Sequence, residues 1–427
     1  MEKRKFDYIA VLKRELKPVM GCTEPAAAAL AGAMARELLG GNPEEIVVFA
    51  SRDVIKNVMG VGIPHSRATG LAAAVLLGVL YGNPEEGLNI LSKIENPNET
   101  LISAYSEGNR ITVNLATHVP SFHVQVQLSD ATNSASVTIA GEHDRVVEKT
   151  KNGEVIFKDV LEFQENGTTA NPIRDWTVQE IVRFIDECKE GDLSFLIDMA
   201  HTNLHIAEHG LETPYGLQVG RSIHLNSPET PTSLEEAFAH AALLAASASD
   251  ARMAGCAFPV VINSGSGNQG VTAMVPPLVL ASYLEKDPHT LAKALALSNL
   301  VAIHLAQFKG RLSALCGAFT AAIGTCCAFV YLMGGTPSQI EDAIQIMIAN
   351  LTGVVCDGAK KTCALKIHSC VQSAAMTARL VMREGTLRET VGIVAEDPGT
   401  TLKHLETLCH EGLEATDHTI LSIMVGK

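Results

Sequence analysis

Aromatic residues make up only 4% of this 427-residue chain, and Trp176 is its one tryptophan. Large rings therefore cannot fill the interior. Alanine, glycine and small polar side chains must do so, which predicts helices that approach one another closely. A basic excess is missing too: 33 Lys and Arg stand against 47 Asp and Glu, a formal charge of −14. A nucleic-acid surface needs clustered cations against phosphate, so no nucleic-acid partner is expected, although a local basic pocket for a small carboxylate remains possible. No like-charged run marks an interaction tail. The chain also lacks a CxxC pair of the zinc-ribbon kind, a dinucleotide fingerprint and a P-loop. It shows no serine–histidine triad and no environment for a pyridoxal lysine.

A secretory signal is missing as well. Residues 1–5 are basic, but residues 6–18 are amphipathic and carry charges throughout, without an apolar core or a small-residue cleavage site. A cytoplasmic location is the expectation. Residues 312–335 are nearly uncharged and long enough to span a bilayer, which takes about 20 residues. They hold Cys316, Cys326 and Cys327 with several small polar residues, and they follow Lys309 and Arg311 directly. They read as a buried central helix, with no membrane association expected.

What is present is a folding composition. Apolar residues reach 47%, which excludes global disorder, and the length suits two or three domains. Helical patterns cover 7–16, 26–39 and 67–81. β-branched, partly alternating runs at 45–51, 111–116, 121–128, 134–140, 145–149 and 154–160 predict strands. After a polar linker at 165–173 the chain reads as helical, at 234–253, 274–284, 291–309, 312–333, 337–351, 364–384 and 386–396. The predicted fold class is α+β. A helical segment, 1–41, packs on the C-terminal domain, a mixed alpha-beta domain with an antiparallel sheet spans 42–165, and a mostly helical domain spans 166–427.

Ten cysteines are present. A reducing compartment disfavours structural disulfides, so unusual thiols point to burial, catalysis or metal. Cys316 precedes Gly317, while Cys356 and Cys363 bracket a short glycine-containing loop. Thiolates ligate iron–sulfur clusters, and loops of small residues can wrap an inorganic core. Three thiolates for four irons leave one iron open as a Lewis acid. Spacing alone leaves open the other reading, buried inert thiols, which is preferred for Cys188, Cys256, Cys326, Cys327, Cys370 and Cys409. Cys22 stands at or just before a helix start, with Thr23 as N-cap and Pro25 in the first turn, where orphan amides favour a thiolate or an anion.

The run 263–270, containing Ser264, Gly265 and Asn268, can turn tightly and present amides to an amino-acid carboxylate or a cluster edge. A plain connecting loop explains it nearly as well. His65, in a second glycine-rich turn, is a candidate proton carrier, against the default of a satisfied loop histidine. Lys309, Arg311, Lys360 and Lys361 can balance the charge of a cluster and a carboxylate, or can form a solvated face.

Taken together, the segments 20–25, 60–66, 252–255 with 264–270, 309–318 and 356–366 make the chain resemble the bacterial and archaeal L-cysteine desulfidase family. The chain is similar, more distantly, to the alpha part of iron–sulfur L-serine dehydratases, and the resemblance spans essentially its whole length. It implies that Cys316, Cys356 and Cys363 hold one 4Fe-4S cluster per subunit, with no PLP, and that Cys22 is the proton acceptor. The implied reaction turns L-cysteine and water into sulfide, pyruvate and ammonia, with a small amino acid as the ligand partner and a homo-oligomer possible. The short 356–363 loop follows the desulfidase type. The alternatives are an L-serine dehydratase acting by the same route, a non-catalytic iron–sulfur sensor, and, for Cys22, the role of resting cluster ligand.

Overall fold

A computed structural model describes residues 6–64, 66, 68–108, 110–159, 172–225, 227–228, 230–310 and 313–426. His65, Arg311 and Leu312 lie outside the described residues, as do 160–171, most of the expected linker. The amino-terminal elements are α1 (Tyr8–Glu15), β1 (Pro18–Met20), α2 (Thr23–Leu39), β2 (Glu45–Ser51), α3 (Arg52–Val58), α4 (Leu71–Tyr81) and α5 (Glu99–Glu107). Strands β3 (Ile111–Ala116), β4 (His123–Ser129), β5 (Ser134–Ala140), β6 (Val146–Lys151) and β7 (Glu154–Lys158) follow. Next come α6 (Val178–Glu187), α7 (Phe195–Glu212), α8 (Val219–His224), α9 (Leu234–Met253), β8 (Pro259–Val261), α10 (Gly267–Tyr283) and α11 (Pro288–Lys309). The chain closes with α12 (Gly317–Leu332), α13 (Pro337–Leu351), α14 (Cys363–Val381), α15 (Pro398–Thr407) and α16 (Glu414–Val425).

The expected class holds: a mixed region carrying a sheet precedes a largely helical one. The six strands run in the order β3-β2-β4-β5-β6-β7. Strands β2 and β3 pair in parallel and the rest antiparallel, so the sheet is mixed where the sequence suggested antiparallel only. The parallel pair follows from the helical crossover between β2 and β3, since parallel neighbours need a long connection. Alternation of side chains sends Ile46, Val48, Val124, Val126, Val137 and Ile139 into the core while Gln125 and Gln127 face away.

Two apolar cores divide the amino-terminal 41 residues. Tyr8, Leu12, Leu16 and Val19 join the helical core, where Trp176 packs its ring 4.8 Å from that of Tyr8. Helix α2 joins the sheet core instead, with its alanines from Ala26 to Ala35 buried beside α4 and the strands. Small residues make this possible: a Cβ on Gly78 of α4 would stand 2.0 Å from the Ala29 carbonyl oxygen. The same device joins α11 to α12, where a Cβ on Gly324 would meet the Ser298 carbonyl at 2.1 Å.

Several helix limits differ from the sequence expectation. Helix α12 begins at Gly317 rather than 312, with Cys316 as its cap. Helix α10 begins at Gly267, seven residues before the expected start at 274, because Ser266 caps it by accepting from the Gln269 amide. No helix forms over 386–396. Arg388 is held there by Asp342, Gly392 takes a positive φ of 59°, and Val391 bridges to Val394. Pro398, capped by Asp397, then starts α15. Among the described residues one helix, Pro288–Lys309, is long and apolar enough to cross a membrane, and 89% of that window is buried against protein.

Candidate functional site

Four helices point their amino-terminal ends at one cavity. Cys22 is the N-cap of α2, Ser266 the N-cap of α10, Cys316 the N-cap of α12, and Cys363 the first residue of α14. The cavity, about 100 Å³, is lined by all of these and by Glu24, Asn57, Arg252, Asn268, Gln269, Lys309 and Cys356. Unpaired amides and helix dipoles make such ends favourable for negative charge.

Local packing explains the convergence. Strands β1 and β8 pair antiparallel, Pro18 opposite Val261, which carries Cys22 beside the turn before α10. Thr23 was expected as the cap, but it is already the first helical residue, and its hydroxyl donates to the Gly265 carbonyl at 3.0 Å. Cys316 and Cys356 sit on two loops joined by a bridge. The Cys316 amide donates to Val354 at 2.9 Å and the Cys356 amide to Ala314 at 2.6 Å. Gly358, at φ +92°, lets the loop lie on α3: a Cβ there would be 2.1 Å from the Lys56 carbonyl oxygen. The Ala359 amide then donates to the Asn57 carbonyl at 3.3 Å.

The four thiols are free of disulfides. Cys316 and Cys356 share a hydrogen bond that pulls the Cys356 thiol down to about 6 and pushes Cys316 up. Burial raises Cys22 to about 11; Arg252 opposes that shift, while Glu24 and Cys363 add to it. Lys309 is 3% exposed, and burial lowers its pKa against the pull of Cys356 and Cys316. Burial works against the Asp357 carboxylate, but Lys360 and Lys366 hold it down at about 2. By contrast, Cys326, Cys327 and Cys370 are sealed in the helical core with their thiols pushed up by burial.

Of the residues singled out in the sequence, the structure gathers Cys22, Cys316, Cys356, Cys363, Lys309 and Asn268 around the cavity. Ser264 and Gly265 line a neighbouring pocket with His143. Lys360 is engaged by Asp357 and faces another pocket beside α16. His65 is not among the described residues. Among the described residues, no three or more His, Cys, Asp or Glu side chains come together as the ligands of a metal ion.

Arg252 was passed over as a site residue. It is 4% exposed, its Nη1 donates to the Asn268 side chain at 3.1 Å, and its Nε is buried without a partner. Gly267 makes room for it: a Cβ there would lie 2.3 Å from Nε. The available signal was its place in the 252–255 segment that carries the resemblance, as a cationic side chain closing the alanine-rich run of α9. Glu24 was missed as well, because in the 20–25 segment only Cys22 was read for chemistry, and Asn57 stands in no such segment.

Comparison with known proteins agrees with this picture of a whole-chain relationship. UPF0597 proteins of Oleidesulfovibrio alaskensis and Parabacteroides distasonis are 37% identical over 428 residues and 35% identical over 431 residues. They cover 98% and 99% of this chain and 98% of their own length. A UPF0597 protein of Aliivibrio fischeri is 36% identical over 420 residues, 98% of each chain. The family model described as serine dehydratase alpha chain matches residues 113–422, which takes in Arg252, Lys309, Cys316, Cys356 and Cys363 and leaves Cys22 before it. By both relationships the chain belongs to the serine dehydratase alpha chain family and to its UPF0597 relatives.

Proposed function

We propose that this protein is an iron–sulfur lyase that eliminates the β substituent of a small α-amino acid. L-Serine dehydration is the leading reading, because the matching family is described as a serine dehydratase chain. L-Cysteine desulfidation, which the sequence motifs suggested first, is the second. The observation that carries the proposal is one cavity lined by Cys22, Cys316, Cys356 and Cys363 together with the buried cations Arg252 and Lys309.

The donor set suits a four-iron four-sulfur cluster. A multinuclear core takes its thiolates at separate corners, farther apart than the ligands of one ion, and the four helix ends favour its negative charge. Cys316, Cys356 and Cys363 would hold it, and when bound it would supply Lewis-acid assistance to the departing hydroxyl or thiol. The chain's own groups do the remainder. Arg252 and the first turn of α10 offer donors to a carboxylate. Cys22 Sγ, facing the same space, takes the α-proton as the thiolate, the form that Arg252 and the amino-terminal end of α2 favour against burial. Loss of that proton and of the β substituent leaves aminoacrylate, which tautomerises and hydrolyses to pyruvate and ammonia. A sensor, the non-catalytic reading, needs no charged cavity beside its thiols.

The test is anaerobic cluster reconstitution of the full chain, followed by separate incubation with L-serine and L-cysteine while pyruvate, ammonia and sulfide are measured. Pyruvate with ammonia from L-serine supports the leading reading. Sulfide in equal amount from L-cysteine, with serine inert, moves the assignment to the desulfidase. A reconstituted protein that turns over neither amino acid overturns both.

A further inference from the structure

Two opposite charges face the cavity without neutralising each other. Arg252 makes no ion pair among the described residues. Its hydrogen bond goes to the neutral side chain of Asn268, and among the described residues Nε has no hydrogen-bond partner. Among the described residues Glu24 likewise accepts from neutral donors only, the Asn57 amide at 3.5 Å and the Thr23 hydroxyl at 3.1 Å, which shares its one hydrogen with the Gly265 carbonyl. A buried guanidinium without a counter-charge is costly, and Arg252 is buried while Glu24 is half-buried. Such a pair, held apart by their own neutral partners, is complementary to a ligand that carries both charges itself.

We propose that Arg252 and Glu24 form a zwitterion clamp, Arg252 taking the α-carboxylate and Glu24 the α-ammonium of a free amino acid. The inference rests on the reading of this cavity as the substrate site and names what selects the substrate there. Cys22, Glu24 and Arg252 all line the one cavity, so a ligand held by the two charges lies in the space that the thiol faces. The carbon between a carboxylate and an ammonium is the α-carbon, and a ligand bridging the two groups brings it to Cys22. Both clamp residues are positioned by short-range packing. Gly267 admits the Arg252 side chain, and Thr23 and Asn57 orient Glu24. A carboxylic acid lacking the ammonium would leave the half-buried Glu24 unanswered, and an amine lacking the carboxylate would leave the buried Arg252 unanswered.

Binding can be read without turnover, using L-alanine, which has no leaving group, with propionate and ethylamine as its two half-ligands. Isothermal titration calorimetry on the anaerobically purified full chain should show L-alanine at least about tenfold tighter than either. Glu24→Gln should erase the preference for L-alanine over propionate, and Arg252→Gln the preference for L-alanine over ethylamine. Arg252→Lys keeps the charge and should retain part of that second preference, which answers the case in which the glutamine variant fails to fold. Wild-type protein that binds propionate as tightly as L-alanine, or Glu24→Gln protein that still prefers L-alanine, overturns the clamp. Selective L-alanine binding without pyruvate from L-serine or L-cysteine would defeat the elimination reading and leave the clamp standing. Turnover without that selectivity would do the reverse.

Discussion

The ammonium of Lys56 on α3 donates to the carboxylate of Asp417 on α16, and both side chains are shut off from solvent. Asp53 adds a second carboxylate 3.6 Å from the same nitrogen. The pair joins the sheet-bearing half of the chain to its last helix. It also underlies the cysteine loop, because Gly358 and Ala359 rest on the backbone of Lys56 and Asn57.

Removing one partner should therefore be expensive. Breaking a buried pair from one side strands a charge and costs about 3–5 kcal/mol. Asp417→Ala is expected to lose stability of that order in urea unfolding. The double change Lys56→Met with Asp417→Leu should recover a large part of it, since both charges of the pair go together and Asp53 keeps Arg52 as its partner at 3.4 Å. A double variant no more stable than Asp417→Ala would show that the pair is not the source of the loss.

Gly358 supplies a second test of the loop. Its φ of +92° and the 2.1 Å approach to the Lys56 carbonyl leave no room for a methyl group. Gly358→Ala should cost about 1–3 kcal/mol from strain and overpacking. The loop should loosen locally, read as faster amide hydrogen exchange over 354–363 than over α9. Unchanged exchange there would mean that the backbone contact does not hold the loop.

His304 sets a pH dependence far from the cysteines. It is 3% exposed, its Nδ1 is 2.8 Å from the Ile173 carbonyl, and burial lowers its pKa from 6.5 to about 4. Between those values the unfolded chain binds the proton and the folded chain does not. The stability contribution is thus complete above pH 6.5 and is lost as pH falls through about 4. At about 1.4 kcal/mol per unit it amounts to about 3 kcal/mol. Urea midpoints at pH 7 and pH 4.5 should differ less in His304→Gln than in the wild type.

The cysteines themselves separate by role. Cys356→Ala should abolish retention of iron and acid-labile sulfide after anaerobic reconstitution, along with pyruvate formation. Cys370→Ala, a change at a sealed core position, should retain both, with only the stability loss of a small cavity. Equal iron loss in the two variants would remove the distinction between lining thiols and core thiols.

Much of the architecture was legible along the chain. Strands β2 to β7 announce themselves by β-branched residues, β2 and β4 also by alternation that matches their burial, and α9, α11 and α13 by composition and caps. The start of α10 was harder to read, because Ser266 is a short cap followed by glycine and then two internal prolines. Residues 386–396 have helical composition, but the ion pair of Arg388 with Asp342 and the turn at Gly392 decide their path. At the site, the cysteines stood out by their glycine-rich surroundings. Arg252 and Glu24 did not, because their significance lies in partners they lack in space.

Local sequence alone determined the residue types available for chemistry, the thiols at 22, 316, 356 and 363 and the glycines beside them, because caps, turns and periodicity act over a few residues. Only the tertiary structure decided that α2, α10, α12 and α14 aim their amino-terminal ends at one space, with Arg252 and Glu24 across it. That arrangement depends on contacts between residues hundreds of positions apart, such as Thr23 with Gly265 and Lys56 with Asp417, and on close helix crossings that no local pattern encodes.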